Sequence, residues 1–279
     1  PDPLLNSLEY LLEEKIEDMK NIFTDEDSYF GTKSLHTGLL WGLETLAWST
    51  EYLPRVSLVL AKLASIDPGG QLSNRPINSL RNIFLWWHPG TSAPIENRLL
   101  SIKIILNNKP KIGWKLITDL LPKSSSSIST PTSKPRWRRF DGWPEDARSK
   151  SGQYHYLSSI IDLALENAGS NMKRWVIILD SLSKFNDSQI EKTLNLLESV
   201  VDNNINKDEK YYFWMKLRDF ISNHHTYNEA IWALDEEVIN RLESILSAIQ
   251  PADPIQNNMW LFEAWHPKPL SGEDNFENA

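Results

Sequence analysis

The chain has no cysteine among its 279 residues. That excludes disulfides, a thiolate zinc site and a cysteine nucleophile, and it suits a reducing, cytoplasmic setting. Glycine is scarce, with eleven residues, most of them where apolar periodicity stops. Neither G-x-x-x-x-G-K-[ST] nor G-x-G-x-x-G occurs, so a phosphate-cradling loop is not expected. G-x-S-x-G and H-E-x-x-H are also absent, which removes the hydrolase elbow and the helical zinc pair. Excess positive charge is missing too: 29 Lys and Arg against 37 Asp and Glu leave a formal net charge of −8. That argues against a general nucleic-acid face, which is usually basic. No apolar run approaches the ~18 residues that a membrane span needs, because Glu44, Glu51, Arg55 and Lys62 interrupt the most apolar stretch. No stretch combines β-branched enrichment with strict alternation; WVIIL at Trp175 comes nearest, but it sits inside a helical period with Leu182. The chain starts at Pro1 with no Met and no charged-then-apolar leader, so it is expected to be a processed chain or, as the favoured reading, an excised piece of something longer.

What is present is helical periodicity and tryptophan. The 12 Trp are spread along the whole chain, as anchors in several packing layers would be. The stretch Gly38 to Gly70 reads as two apolar helices joined by a tight turn and stopped by Pro68-Gly69-Gly70. Leu53, Val56, Leu60 and Leu63 form the stripe of the second, Pro54 falls in its first turn, and Ser49 or Thr50 is the expected N-cap. An amphipathic helix is expected over Pro3–Phe23, then an acidic break TDEDSYFGT. Further helices are expected over Asn78–Trp87, Ile95–Leu106 and Ile112–Leu121. After a long interruption the pattern resumes as Tyr154–Asn167, Asn171–Lys184, Ser188–Asn203, Asp208–Ser222 and Leu234–Ile249. Ser188 with Glu191 reads as a capping box.

The expected organisation is a helical half over residues 1–121, a loop over 122–152, a second helical half over 153–250 and a tail over 251–279. The fold class is all-α. Leu43, Leu46, Leu53, Val56, Leu60 and Leu63 can be laid over Leu179, Leu182, Ile190, Thr193, Leu197 and Val200 if one turn is a residue longer. That loose self-similarity suits stacked antiparallel hairpins of HEAT or armadillo type; a compact irregular helical array is the alternative.

Catalytic constellations are hard to find. His224 and His225 are adjacent and so point to different faces of a helix; His36, His88, His155 and His266 stand singly. Carboxylate pairs such as Glu13-Glu14 and Glu236-Glu237 fall on solvated faces. The chain is therefore expected not to be an enzyme, and to hold no metal and no cofactor. The polar cluster that carries information is Lys134, Arg136, Arg138 and Arg139 interleaved with Trp137 and Phe140. With Lys123 it makes five cations and no carboxylate between Asp119 and Asp141, in an otherwise acidic chain. Guanidinium groups fork to carboxylate or phosphate and stack on rings, and Arg beside Trp is a common interface hot spot. The other reading lays the loop back on the helices, pairing its arginines with helix carboxylates. Arg75, in the turn Asn74-Arg75-Pro76-Ile77-Asn78, is expected to cap carbonyls or to reach the long loop.

The run GLLWGLETLAWSTEYLPRVSLVLAKLASIDPGGQLSNRPINSLRNIFL, then GWKLITDLLPK, then STPTSKPRWRR, resembles the helical C-terminal region of large bacterial defence proteins. These are antiviral STAND-type NTPases and related multidomain proteins with effectors such as sirtuin-like domains. The resemblance covers roughly Gly38 to Arg139, and LSNRPINSL and SxPTxKPRWR are its most specific pieces. It implies a sensor-like role in which helical repeats recognise a phage protein, while NTPase, effector and oligomerisation lie outside this chain. No catalytic residue is carried over by it. A protein partner is thus expected at the concave face and at Lys134, Arg136, Trp137, Arg138, Arg139, Phe140 and Arg75. Nucleic acid on the same basic loop is the second candidate, a helical enzyme with an unrecognised pocket the third, and no membrane partner is expected.

Overall fold

The computed structural model describes residues 1–23, 26–28, 31–33, 35–70, 72–122, 142–201, 206–263 and 270. The chain divides into two compact units, one of Pro1–Leu121 with Ser127–Leu163 and one of Pro122–Ser126 with Ala164–Ala279. The fold is all-α apart from one short ribbon.

In the first unit the helices are α1 (Asp2–Glu14), α2 (Ile16–Lys20), α3 (His36–Ala47), α4 (Leu53–Ile66), α5 (Pro76–Ile83), α6 (Ile95–Asn108), α7 (Pro110–Leu120) and α8 (Glu145–Arg148). Lys15, at φ −135° and ψ 46°, breaks the single helix expected over Pro3–Phe23 into α1 and α2, and a 3₁₀ turn ends it at Phe23. The acidic break holds an antiparallel ribbon of β1 (Glu26–Ser28) and β2 (Gly31–Lys33), with Glu26 paired to Lys33. Three residues per strand are too few to leave an alternation in the sequence.

The Gly38–Gly70 hairpin forms as α3 and α4, and α4 is the hub of the unit. Leu53, Val56, Val59, Leu60, Ala61 and Leu63 are all buried, and α1, α3, α5, α6 and α7 pack around them. A helix apolar on most of its girth has to be surrounded in this way. Its N-cap is Tyr52, without a side-chain bond, rather than Ser49 or Thr50. The expected Asn78–Trp87 helix ends earlier, at Ile83, because the Gly90 N–H folds back onto the Asn82 and Ile83 carbonyls. Residues 84–94 then run as an irregular segment bearing Trp86, Trp87 and His88. Pro110 opens α7 in its first turn, and Gly113 lets α7 approach α6, since a Cβ there would sit 2.8 Å from the Leu106 Cα.

The helix α9 spans Lys150–Ala168. The second unit continues with α10 (Met172–Leu179), α11 (Asp187–Val201), α12 (Lys207–Thr226), α13 (Glu236–Ala248), α14 (Pro254–Asn258) and α15 (Trp260–Glu263). WVIIL at Trp175 is helical, in α10. The capping box lies two residues earlier than expected: Asn186 N–H donates to Gln189 Oε1 at 3.0 Å, and Gln189 N–H donates back to Asn186 Oδ1 at 2.9 Å. α10 packs chiefly on α12, and α11 and α12 both pack on α13. α3 packs directly on α4, whereas α10 and α11 each pack chiefly on other helices. No described helix is long and apolar enough to cross a membrane.

Candidate functional site

Lys134, Arg136, Trp137, Arg138, Arg139 and Phe140 lie outside the described residues, as does Lys123. What the structure gives is the ground on either side of them. Before them, Leu121 is buried at the end of α7. After them, two side chains pin the chain to the first unit.

The first is Trp143, whose Nε1–H donates to the Pro89 carbonyl at 2.9 Å. Its ring meets His88 edge-on at 4.1 Å between centroids and lies 6.4 Å from Trp48. The second is Asp146. Its Oδ2 accepts the Ile95 N–H at 2.6 Å, on the first residue of α6, and its Oδ1 takes Arg98 Nη2 at 3.3 Å. A carboxylate belongs there, since the leading amides of a helix lack intrahelical acceptors and the dipole favours negative charge. Pro94 precedes α6 and its side chain cannot cap, so the cap comes from a residue distant in sequence.

Arg98 is wholly buried, and its guanidinium lies 4.4 Å over the Tyr156 ring, a cation–π contact on the face of an aromatic. The Tyr156 hydroxyl in turn donates to the Phe84 carbonyl at 3.1 Å. Burial pushes the Tyr156 phenol well above its usual range, so that it remains a donor at any physiological pH; the Arg98 charge pulls the other way and the Asp146 charge adds to the rise. Arg98 Nε and Nη1 are buried with no hydrogen-bond acceptor among the described residues. Gly152 completes the arrangement: a Cβ there would fall 2.1 Å from the Asp146 carbonyl oxygen, so the first turn of α9 can lie against Asp146 only without a side chain.

Arg75 is 5% exposed. It pairs with Asp67 at 3.2 Å and its Nε donates to the Leu72 carbonyl at 3.3 Å, with Nη1 3.5 Å from the Phe23 carbonyl. Its guanidinium thus closes the turn between α4 and α5. His36, one of the single histidines, is fully buried between the Ile22 and Asn74 carbonyls, at 3.2 and 2.9 Å from its ring nitrogens.

Sequence reasoning missed the His88–Trp143 and Asp146–Arg98–Tyr156 contacts. The available signal was local: Trp143-Pro144-Glu145-Asp146 sets an aromatic and two carboxylates just before a helix. Read alone, that spacing points to capping α8 itself rather than α6.

In the second unit, His224 is buried against Phe220, at 4.5 Å, and Trp232, at 5.2 Å between ring centroids. Its Nδ1 accepts the Leu234 N–H at 3.1 Å, which requires that nitrogen to be unprotonated. Burial first, and then the neighbouring His225, lower its pKa from 6.5 to about 4. The folded state therefore binds fewer protons than the unfolded chain between these values, and stability falls as the pH drops through that window. Thermal melts at pH 7, 5.5 and 4 are expected to show this loss, and His224→Gln is expected to make the slope shallower. His225 instead pairs with Glu243 at 2.8 Å. No group of three His, Asp or Glu suited to a metal occurs among the described residues.

No family model, no curated protein and no solved structure matches the chain.

Proposed function

We propose that this chain is a non-catalytic helical recognition or scaffold region of a larger bacterial anti-phage defence protein. It binds a protein partner through the basic and aromatic run from Lys134 to Phe140. The observation that supports this is the fixed base next to that run. Trp143 and Asp146, three and six residues beyond Phe140, are held by the Pro89 carbonyl and by the N-terminus of α6. A recognition segment gains affinity when less of it has to be ordered on binding, and a rigid scaffold beside it lowers that cost. Arginines interleaved with Trp137 and Phe140 suit the desolvated centre of a protein interface.

The test is a pull-down from phage-infected cells with the full chain and with Arg136→Glu/Arg138→Glu. The expected result is a discrete phage protein, identified by mass spectrometry, retained by the wild type and lost by the variant, with far-UV helicity unchanged. Retention by the variant overturns the role of the run. A second reading follows from the five cations without a carboxylate between Asp119 and Asp141: phosphate contacts on DNA or RNA. Binding of a labelled oligonucleotide that falls steeply with salt would favour it over the protein partner.

A further inference from the structure

Two helix pairs, one in each unit, are fastened in the same way. In the first unit Arg55 of α4 faces one ridge of α1. Its Nη1 donates to Asp2 Oδ1 at 2.9 Å, its Nη2 to Asn6 Oδ1 at 2.8 Å, and its Nε and Nη2 to the two oxygens of Glu9 at 3.2 and 2.7 Å. In the second unit Arg241 of α13 faces one ridge of α11. Its Nη1 donates to Glu191 Oε2 at 2.6 Å, its Nη2 to Asn195 Oδ1 at 2.8 Å, and its Nε and Nη2 to Glu198 Oε1 at 3.0 and 2.9 Å. Both ladders read acid, asparagine, acid at i, i+4 and i+7.

The agreement continues into the core. Counted from the first acid, positions +3, +6 and +10 are buried in both: Leu5, Leu8 and Leu12 in α1, Leu194, Leu197 and Val201 in α11. Counted from the arginine, positions −2, +1, +4, +5 and +8 are buried in both: Leu53, Val56, Val59, Leu60 and Leu63, against Ile239, Leu242, Ile245, Leu246 and Ile249. The eight residues DPLLNSLE and EKTLNLLE share the leucine, the asparagine, the second leucine and the last glutamate in register. The surroundings agree as well: a middle helix, α3 or α12, packs on the arginine-bearing helix, and the ladder helix packs on that same helix. Amphipathic helices share a 3.6-residue period for general reasons. That period does not decide which polar residues sit over one arginine, nor tie their register to the buried set on the facing helix.

We infer that α4 and α13 carry two copies of one helix-docking seat, and that the partner it fits is a helix with acid, asparagine and acid at i, i+4 and i+7 and leucines at i+3 and i+6. α1 and α11 are the occupants within this chain. The chemistry explains each member. Positions i, i+4 and i+7 line one face of a helix, so a planar guanidinium from across the groove reaches all three, where the compact ammonium of lysine would not. Asparagine in the middle supplies an acceptor without packing a third negative charge beside two others. The leucines set the depth at which the arginine meets its ladder.

The test exchanges occupants in the full chain. Asp2→Glu, Pro3→Lys, Leu4→Thr and Ser7→Leu turn residues 2–9 into the 191–198 sequence. A control, Asn6→Glu with Glu9→Asn, keeps composition and breaks the ladder. The readout is amide hydrogen exchange over α1. The exchanged chain is expected to protect α1 as the wild type does, and the control to exchange about tenfold faster, as suits loss of a half-exposed charge network. Fast exchange in the chain with the 191–198 sequence, or wild-type protection in the control, overturns the shared seat.

Discussion

Asp146→Ala is expected to destabilise the first unit by about 3–5 kcal/mol, the cost of stranding a buried charge by removing its partner. Three losses coincide. The Ile95 N–H at the head of α6 loses its acceptor, Arg98 loses its carboxylate, and the guanidinium stays buried because the Tyr156 ring lies over it. Arg98 already carries two donor nitrogens without acceptors among the described residues, so no described residue stands ready to replace Asp146. The measurement is urea unfolding of the full chain, with hydrogen exchange over residues 76–108 to place the loss on α5 and α6. Asp146→Asn, which keeps an acceptor for Ile95, is expected to lose less. Arg98→Met combined with Asp146→Ala is expected to recover much of the loss, because an apolar replacement of a buried pair removes the desolvation cost with the charge. A single Asp146→Ala variant as stable as the wild type would show that the α6 cap and the Arg98 pair contribute nothing, and would take the fixed base from beneath the basic run.

This contact also shows what the sequence could and could not say. The helices were legible wherever apolar residues recur at three and four positions, as in Leu53, Val56, Leu60 and Leu63, because burial of one stripe is what selects the helix. Their ends were less legible. Lys15 breaks α1 from α2 inside a continuous amphipathic pattern, and α5 stops at Ile83 although Trp86 and Trp87 extend its apolar spacing. The end of α5 is set by a backbone bond from Gly90, and the break at Lys15 by a backbone conformation, neither of which leaves a mark in apolar spacing. Asp146 and Arg98, 48 residues apart, carry no mutual signal in spacing. The Arg55 and Arg241 ladders lay in plain view as polar ridges beside leucine stripes. They read as solvated faces because a ladder shows its purpose only once the facing arginine is known.

Trp175→Ala is expected to cost the second unit about 3–5 kcal/mol, as truncation of a buried aromatic does elsewhere. Trp175 is 1% exposed on α10, the helix that packs on α12. Truncation removes a large apolar surface from the core and opens a cavity that the helices around it can close only in part. It also removes the Nε1–H that Trp175 donates to the Gly169 carbonyl at 2.9 Å. Gly169, at φ +55°, is the left-handed residue that ends α9, and its carbonyl is turned toward the ring by that conformation. Trp175→Phe separates the two terms: it keeps most of the volume and loses the donor, and because Gly169 is exposed and its carbonyl can turn to water, the expected cost is about 0.5–1.5 kcal/mol, the net worth of one hydrogen bond. Trp41→Ala is the contrast. Trp41 belongs to the most apolar stretch of the sequence yet is 61% exposed on α3, and its loss is expected to fall within about 0.5 kcal/mol of zero. Urea unfolding followed by far-UV circular dichroism measures all three without relying on tryptophan emission. Equal costs at Trp41 and Trp175 would mean that burial does not rank the tryptophans of this chain, and that the packing around α10 is not what holds the second unit together.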